Sequence, residues 1–587
     1  MLDKIAAVIY VITFGFAYYR MFVLPKGNRK LNGVTWILLT LLLEASGQAL
    51  VAGIINAFHA PVNLWTVSAI NLVMGLTAWG ICFKTKQKKQ SYEWKKYDIC
   101  YAVILFVAGI IFLFWFKGFR LDPVFCNSDA AVHFKNAMSV VRDEALPTMY
   151  FSELWNAMAI RCVIPFIGEI NAVRVYVLMD WLYFVLEIWM FVAILREYVD
   201  DVKATVAAVV FTIMYLLGYP MLGYLYTFLY WGMGVMLIGA VYLLLKKYRE
   251  EKISYGFTIV SMMLLCNAIT MCYMLFGPYV FVMLALYLTY HWLVTKHKLD
   301  LAWLKMCFGI FLLPTALAVY YCYFQFLAAQ SLSVGSVMSI VGGAYQEAYV
   351  HFIWLLIPFV VEVICSIRRK RMDETMLFSI GALLVVGVLT VLYLRGRIGY
   401  YYYSKYFNVL WFALYVDAFK GMLHILKWKW QVVCGYAVVV AAGFFVFWSV
   451  HIFPETTAQM DVYKYNTTLF QASHNQCAKE FMDTCQYVMK KLPKKDTVPI
   501  MLELESYSTC YWYEGITGKN SAEYYTWSNN KDDVFLNLAQ QKVPYFVIVY
   551  GSGLYKDYKD FFDQFECLDR NSVSGVYASY AATDASK

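Results

Sequence analysis

Fourteen stretches of about 20 mostly apolar residues punctuate this 587-residue chain, and no other feature narrows its possible folds as much. They lie near 5–23, 35–57, 62–82, 98–117, 172–194, 204–220, 226–245, 256–274, 279–295, 305–327, 350–367, 376–395, 403–422 and 431–451. About 20 residues of helix cross the roughly 30 Å of hydrocarbon in a bilayer. Inside lipid the backbone must satisfy its own hydrogen bonds, which helices do. The expected fold is therefore an all-α polytopic membrane domain of about 14 spans. With 61% hydrophobic and 15% charged residues, against about 45–50% and about 25% in soluble domains, a soluble enzyme, a disordered chain and a disulfide mini-scaffold are excluded. The first run lacks a small-residue cleavage site and reads as a retained helix.

Lys and Arg in the connecting loops set the orientation. With the N-terminus outside, seven cytoplasmic loops hold 26 of the 36 basic residues that precede His451, and the outer side holds ten. From His451 onward 13 basic and 17 acidic residues leave a net charge of −4. This reading divides the chain into a multi-span membrane domain, 1–451, and an extracytoplasmic domain, 452–587. The ten outer charges cluster: six between Lys117 and Arg174, three at Arg395, Arg397 and Lys405. Two outer regions thus depart from the charge rule, and local inconsistency of this kind marks functional sites.

The first such region is the outer loop 118–171. Asn127-Ser128-Asp129 is an N-cap signal, and a helical pattern follows to about Arg142. Pro147 ends it, and a second amphipathic stretch runs from Phe151 to Ile164. Both read as helices lying on the membrane surface. Asp129 and His133, four residues apart, share one helical face. An Asp held beside a His is suited to general-base work. The competing reading makes Asp129 a cap and His133 an ordinary surface residue. Asp143 and Glu144 read as solvated, and Glu153 as either solvated or substrate-contacting.

This loop, carried by Ser128-Asp129-Ala-Ala-Val-His133-Phe134, together with the multi-span layout, the GYPMLGYLYTFLYWGMG and YYYSKYFNVLW stretches and the outer α/β tail, resembles the C-type (GT-C) integral membrane glycosyltransferases. The resemblance implies that Asp129 acts as base on an acceptor hydroxyl and that the donor is a sugar on a polyprenyl phosphate. Many relatives carry a second acidic residue after this Asp. Ala130 stands there, so the motif does not support a divalent metal, and no cofactor is implied.

The second region reads LYLRGRIGYYYYSKYFNVLW. Arg forks match phosphate oxygens, and Tyr suits the membrane interface. Arg395, Arg397 and Lys405 are candidate donor-phosphate ligands, with Tyr402 beside them; plain interfacial anchoring is the alternative. A glycosyl phosphate is a good leaving group, so a cationic clamp replaces the general acid and an inverting transfer needs one base. A third outer loop offers Tyr345, Gln346, Glu347 and His351 as contacts for sugar hydroxyls. Asp180, Glu187, Glu362 and Asp417 are ionisable residues inside predicted spans and so functional candidates.

In the tail, helical periodicity at Ala472–Lys491 and near Asp532–Gln541 alternates with strand-like Val498–Leu504, Tyr545–Tyr550 and Ser572–Ala581. This predicts a small α/β domain. Tyr511, Trp512, Tyr513, Tyr524, Tyr525 and Trp527 read as core or as sugar-stacking platforms. Cys477 and Cys485, about 12 Å apart on one helix, cannot bond to each other. No Walker loop, dinucleotide fingerprint or HExxH occurs.

The expectation is a plasma-membrane, multi-pass glycosyltransferase acting on the outer face, with a polyprenyl-phosphate sugar donor and a cell-envelope glycan or glycolipid acceptor. Its partners include membrane lipid and no nucleic acid. A transporter of lipid-linked glycans would need paired ionisable residues deep in facing spans and repeat symmetry. A polysaccharide polymerase or ligase would place its large outer loop late in the chain.

Overall fold

The computed structural model describes residues 1–27, 29–85, 89–123, 128–216, 218–225, 228–295, 301–328, 331, 333, 355–427, 479–493, 497–501, 507–519 and 543–579. Helices occupy thirteen of the fourteen apolar runs; the run 431–451 lies outside the described residues. Among the described residues, nine helices are long and apolar enough to cross a membrane. Helices α1 (Leu2–Val23), α2 (Gly33–Ala57), α3 (Leu64–Thr85) and α4 (Lys96–Lys117) come first. Asn32 caps α2, its side chain accepting from Thr35 N at 3.1 Å. Gly118, at φ +70°, closes α4 in the left-handed region that favours glycine.

Two helices follow that are not candidate spans, α5 (Ser128–Asp143) and α6 (Phe151–Ile167). On α5, Ala130, Ala131, Phe134, Ala137, Met138 and Val140 are buried while Asp143 is exposed; of the apolar side read from the sequence, Phe134 and Met138 are buried and Val132 and Val141 only half-buried. Helices α7 (Ala172–Arg196), α8 (Val202–Leu216), α9 (Tyr219–Leu225), α10 (Leu229–Arg249), α11 (Tyr255–Cys272), α12 (Phe276–Thr295) and α13 (Leu301–Val319) complete this part. α13 continues as a π-helix, Tyr320–Ala328. Beyond it lie α14 (Leu356–Arg368), α15 (Glu374–Leu394), α16 (Tyr400–Lys405) and α17 (Phe407–Ile425). The apolar run at 403–422 is thus not one helix: it breaks at Tyr406, and Lys405 ends the short helix before the break.

Two short parallel strands, β1 (Leu31–Asn32) and β2 (Tyr92–Glu93), pair among the early helices. In the tail, α18 (Lys479–Lys491) and α19 (Tyr507–Thr517) accompany a four-stranded sheet of order β3-β4-β6-β5, comprising Ile500–Met501, Tyr545–Val549, Ser574–Ala578 and Glu566–Arg570. β3 and β4 are parallel; β6 runs antiparallel to both β4 and β5. The predicted helix at Asp532–Gln541 lies outside the described residues. Helix α19 and strand β5 are features the hydrophobic pattern did not reveal.

α19 lies directly on α5. Trp512 meets Phe134 with ring centroids 5.3 Å apart, Lys135 pairs with Glu514 at 2.6 Å, and Arg142 donates to the Ile516 carbonyl at 3.1 Å. Gly515 makes this approach possible, because a Cβ there would stand 2.7 Å from the Phe134 ring. Trp512 and Tyr513 are core residues, Tyr511 is half-buried, and Tyr524, Tyr525 and Trp527 lie outside the described residues.

Candidate active site

The early turns of α5 bring Asp129 and His133 together with residues from three distant segments. Asp129 is half-buried and His133 is buried. From α6, Glu153 meets His133, with Nδ1 and Oε1 2.5 Å apart. Its second oxygen accepts from Ser152 Oγ at 2.6 Å. Glu153 is only 1% exposed, which rules out the solvated alternative. A buried carboxylate persists only when its charge and lone pairs are met, and here an imidazole and a hydroxyl meet them. His133 is therefore held by Glu153.

The His133 pKa follows from that packing. Burial opposes the imidazolium most strongly. The Glu153 hydrogen bond and charge, joined by the charge of Asp129, outweigh it against Lys405, so the pKa lies above the ordinary imidazole value.

Tyr230, in α10, joins the two outer regions. Its hydroxyl accepts from Lys405 Nζ at 3.0 Å and faces Asp129 Oδ2 at 3.4 Å, long for an O–H···O bond. Lys405 also donates to the Tyr401 hydroxyl at 2.6 Å. Its ammonium lies 3.8 Å from the Tyr401 ring centroid, 5.3 Å from that of Tyr230, 5.6 Å from that of Tyr273 and 5.9 Å from that of Tyr402. An ammonium inside such an aromatic cage is held by ring quadrupoles and hydroxyls together. The Tyr230 ring stacks on Tyr273 at 4.7 Å and lies 5.1 Å from the His133 ring.

The candidates drawn from sequence thus divide. Asp129, His133, Glu153, Lys405 and Tyr402 gather in one place. Arg395 and Arg397 sit exposed on the turn that joins α15 to α16. Tyr345, Gln346, Glu347 and His351 lie outside the described residues. Glu144, read as solvated, pairs with Arg161 at 3.1 Å and accepts from Asn63 at 2.8 Å; Asp143 is exposed. Sequence reasoning missed Tyr230, Tyr273 and Tyr401. Tyr230 and Tyr401 lie in tyrosine-rich stretches already marked, whereas Tyr273 stands in an apolar run that carried no such signal.

The ionisable residues inside the spans are all buried. Asp180 and Glu187 line a small pocket of about 10 Å³ with Tyr219 and Asn408, room for about one water. Glu187 also accepts from the Tyr215 hydroxyl at 2.8 Å. Glu362 and Asp417 pair with Lys420 at 3.1 and 3.0 Å, some 15 residues, or about 22 Å of helix, from Lys405. Among the described residues no three His, Cys, Asp or Glu side chains converge as a metal site would require.

No protein family and no curated protein sequence matches the chain. Among solved structures, it is similar to the crystal structure of ArnT from Cupriavidus metallidurans bound to undecaprenyl phosphate, at 10% identity and a TM-score of 0.46, covering 82% of this chain and 98% of that one. A likeness of that size assigns neither a family nor an activity to this chain.

Proposed function

We propose that the chain is an integral membrane glycosyltransferase moving a sugar from a polyprenyl-phosphate donor to a hydroxyl of a cell-envelope glycan or glycolipid on the outer face. The single observation that carries this reading is the Asp129–Tyr230–Lys405 line, which sets a half-buried carboxylate and a caged ammonium on either side of one phenol. Asp129 takes the proton of the acceptor hydroxyl. The oxygen attacks the anomeric carbon, the bond to phosphate breaks, and Lys405 stabilises the phosphate charge that develops. Arg395 and Arg397, exposed nearby in sequence, meet the phosphate as it arrives from lipid. Tyr402 and the loop residues Tyr345, Gln346 and Glu347 contact the sugar. Glu153 supports the site through His133, and the acidic tail forms a separate outer domain, 452–587.

Purified protein incubated with labelled polyprenyl-phosphate sugars tests the reading directly. Transfer of label to an acceptor supports it, whereas movement of lipid-linked glycan without sugar transfer replaces it with transport. The orientation is checked by cysteine labelling from outside, which should reach a probe near Gly551 and miss one near Lys89.

A further inference from the structure

Helix α7 links the candidate active site to the other end of the helical bundle. Near its start the Tyr176 hydroxyl donates to the Ala130 carbonyl, beside Asp129, at 3.2 Å. It ends twenty residues later at Arg196, about 30 Å along the axis, which is the thickness of the hydrocarbon core. Arg196 therefore belongs to the opposite membrane face.

Two cavities meet there. One is a groove of about 400 Å³ between α2, α4, α7 and α8, walled mostly by apolar side chains such as Leu105, Ala108, Ile188 and Val192. The other is a polar basin of about 240 Å³. Five basic residues line the basin: Lys30, Lys95, Arg196, Lys247 and Lys252. Three acidic ones face them: Glu93, Asp98 and Glu197.

Asn32, Asp98 and Arg196 line both cavities and are tied together, Asn32 donating to Asp98 Oδ2 at 2.6 Å and Arg196 Nε to Oδ1 at 2.9 Å. Several basin cations already have carboxylate neighbours. Lys95 lies 3.8 Å from Glu93, Lys247 contacts Glu197, and Glu250 stands 3.5 Å from Lys247 and 2.7 Å from Lys252. With Glu250 counted, the balance is still positive, and Lys30 is exposed.

We propose that this paired cavity binds an anionic phospholipid, its phosphate in the basin and an acyl chain in the groove. The two cavities complement such a lipid at both of its ends. A polar cavity with excess positive charge, opening through a shared wall into an apolar groove between spans, fits a molecule that is anionic at one end and hydrocarbon at the other. Basic pockets between spans on the cytoplasmic side bind such head groups. The Asn32–Asp98–Arg196 triad marks the level at which head gives way to chain. This site is separate from the one that carries the proposed activity.

The test uses the full chain in nanodiscs of phosphatidylcholine mixed with phosphatidylglycerol, released for native mass spectrometry so that retained lipids are identified. Wild type should retain phosphatidylglycerol over phosphatidylcholine. Lys30→Gln and Lys95→Gln, at exposed positions, should each lower that preference about fivefold. Ala108→Trp, which fills the groove with every cation in place, should reduce the amount retained. Matched thermal unfolding midpoints confirm that the variants are folded. Retention in proportion to supply means ordinary surrounding lipid only and overturns the proposal. So does a preference unchanged in both lysine variants, or retention unaffected by Ala108→Trp.

Discussion

Glu153 holds His133, carboxylate to imidazole at 2.5 Å, and the charge of Asp129 acts on the same ring. The paired residues come from successive helices, α5 and α6, 20 positions apart. Nothing in their spacing announces the pair, yet it couples α5 to α6 at the centre of the candidate site.

Its first consequence concerns pH. The His133 pKa is raised in the folded protein, because Glu153 and Asp129 outweigh the effect of burial. The contribution to stability is fully present below the unfolded imidazole value, about 6.5. It is lost as pH rises through the higher folded value. The Tm advantage of wild type over His133→Gln should be largest in mildly acidic buffer and should shrink as pH rises past neutrality. A Tm difference that grows with pH would contradict the assignment.

Asp129→Asn separates the base from a structural residue. Asp129 is the second residue of α5 and not its cap, and Asn keeps the size of Asp, so folding and donor binding should persist. Turnover should fall by roughly 10²–10⁴-fold, the usual contribution of a general base. Near-normal turnover in folded protein would leave Asp129 with a structural role alone.

Lys405→Ala should raise the apparent donor KM and also slow transfer, with a loss on the order of 1.5–3 kcal/mol for a charge-assisted phosphate contact. Tyr230→Phe keeps the ring stack but removes the hydroxyl between Lys405 and Asp129. It should lower kcat with a smaller change in donor KM. Arg395→Ala should act on donor KM alone, since Arg395 is exposed on a turn apart from the caged ammonium. Unchanged donor kinetics would leave Lys405 as a caged structural cation in the one variant and Arg395 as a membrane anchor in the other.

Reversing the ion pair between Lys135 and Glu514 tests the docking of the tail on α5. Lys135→Glu alone places like charges together and leaves Glu514, which is 4% exposed, without its cation. Faster limited proteolysis within the tail and lower transfer should follow. The double variant Lys135→Glu/Glu514→Lys should recover much of both. No recovery would mean that the pair itself does not hold the two helices together.

How much of this was legible beforehand depends on the kind of signal each feature leaves. Apolar runs of about 20 residues announce spans because lipid demands them, and helices lie under thirteen of the fourteen. Asp129 and His133 were found through a helix-start signal and their four-residue spacing, and Lys405 because its charge stands where cations are scarce. Tyr230 left no such mark: a tyrosine in an apolar run adds little to any period, and its value comes only from the hydroxyl it holds between two distant groups. The break at Tyr406 is hidden for the same reason, since aromatic residues on both sides keep the run apolar. Arg395 and Arg397 show the converse, that a shared sequence neighbourhood with Lys405 did not carry them into the same cage. Helix α19 was missed although its aromatic residues read as core or as stacking platforms, because the partner they pack on, α5, lies some 380 residues earlier.

That separation has a consequence for biogenesis. The helix carrying Asp129 leaves the ribosome early, but the residues that cover Phe134 and pair with Lys135 are made only after the spans from α7 to α17. The most slowly found contacts are those farthest apart along the chain. This contact is therefore made last. A nascent protein already threaded through the bilayer lacks that cover on α5, so assembly of the tail, rather than insertion of the spans, sets the moment at which the helix carrying Asp129 gains its last partner.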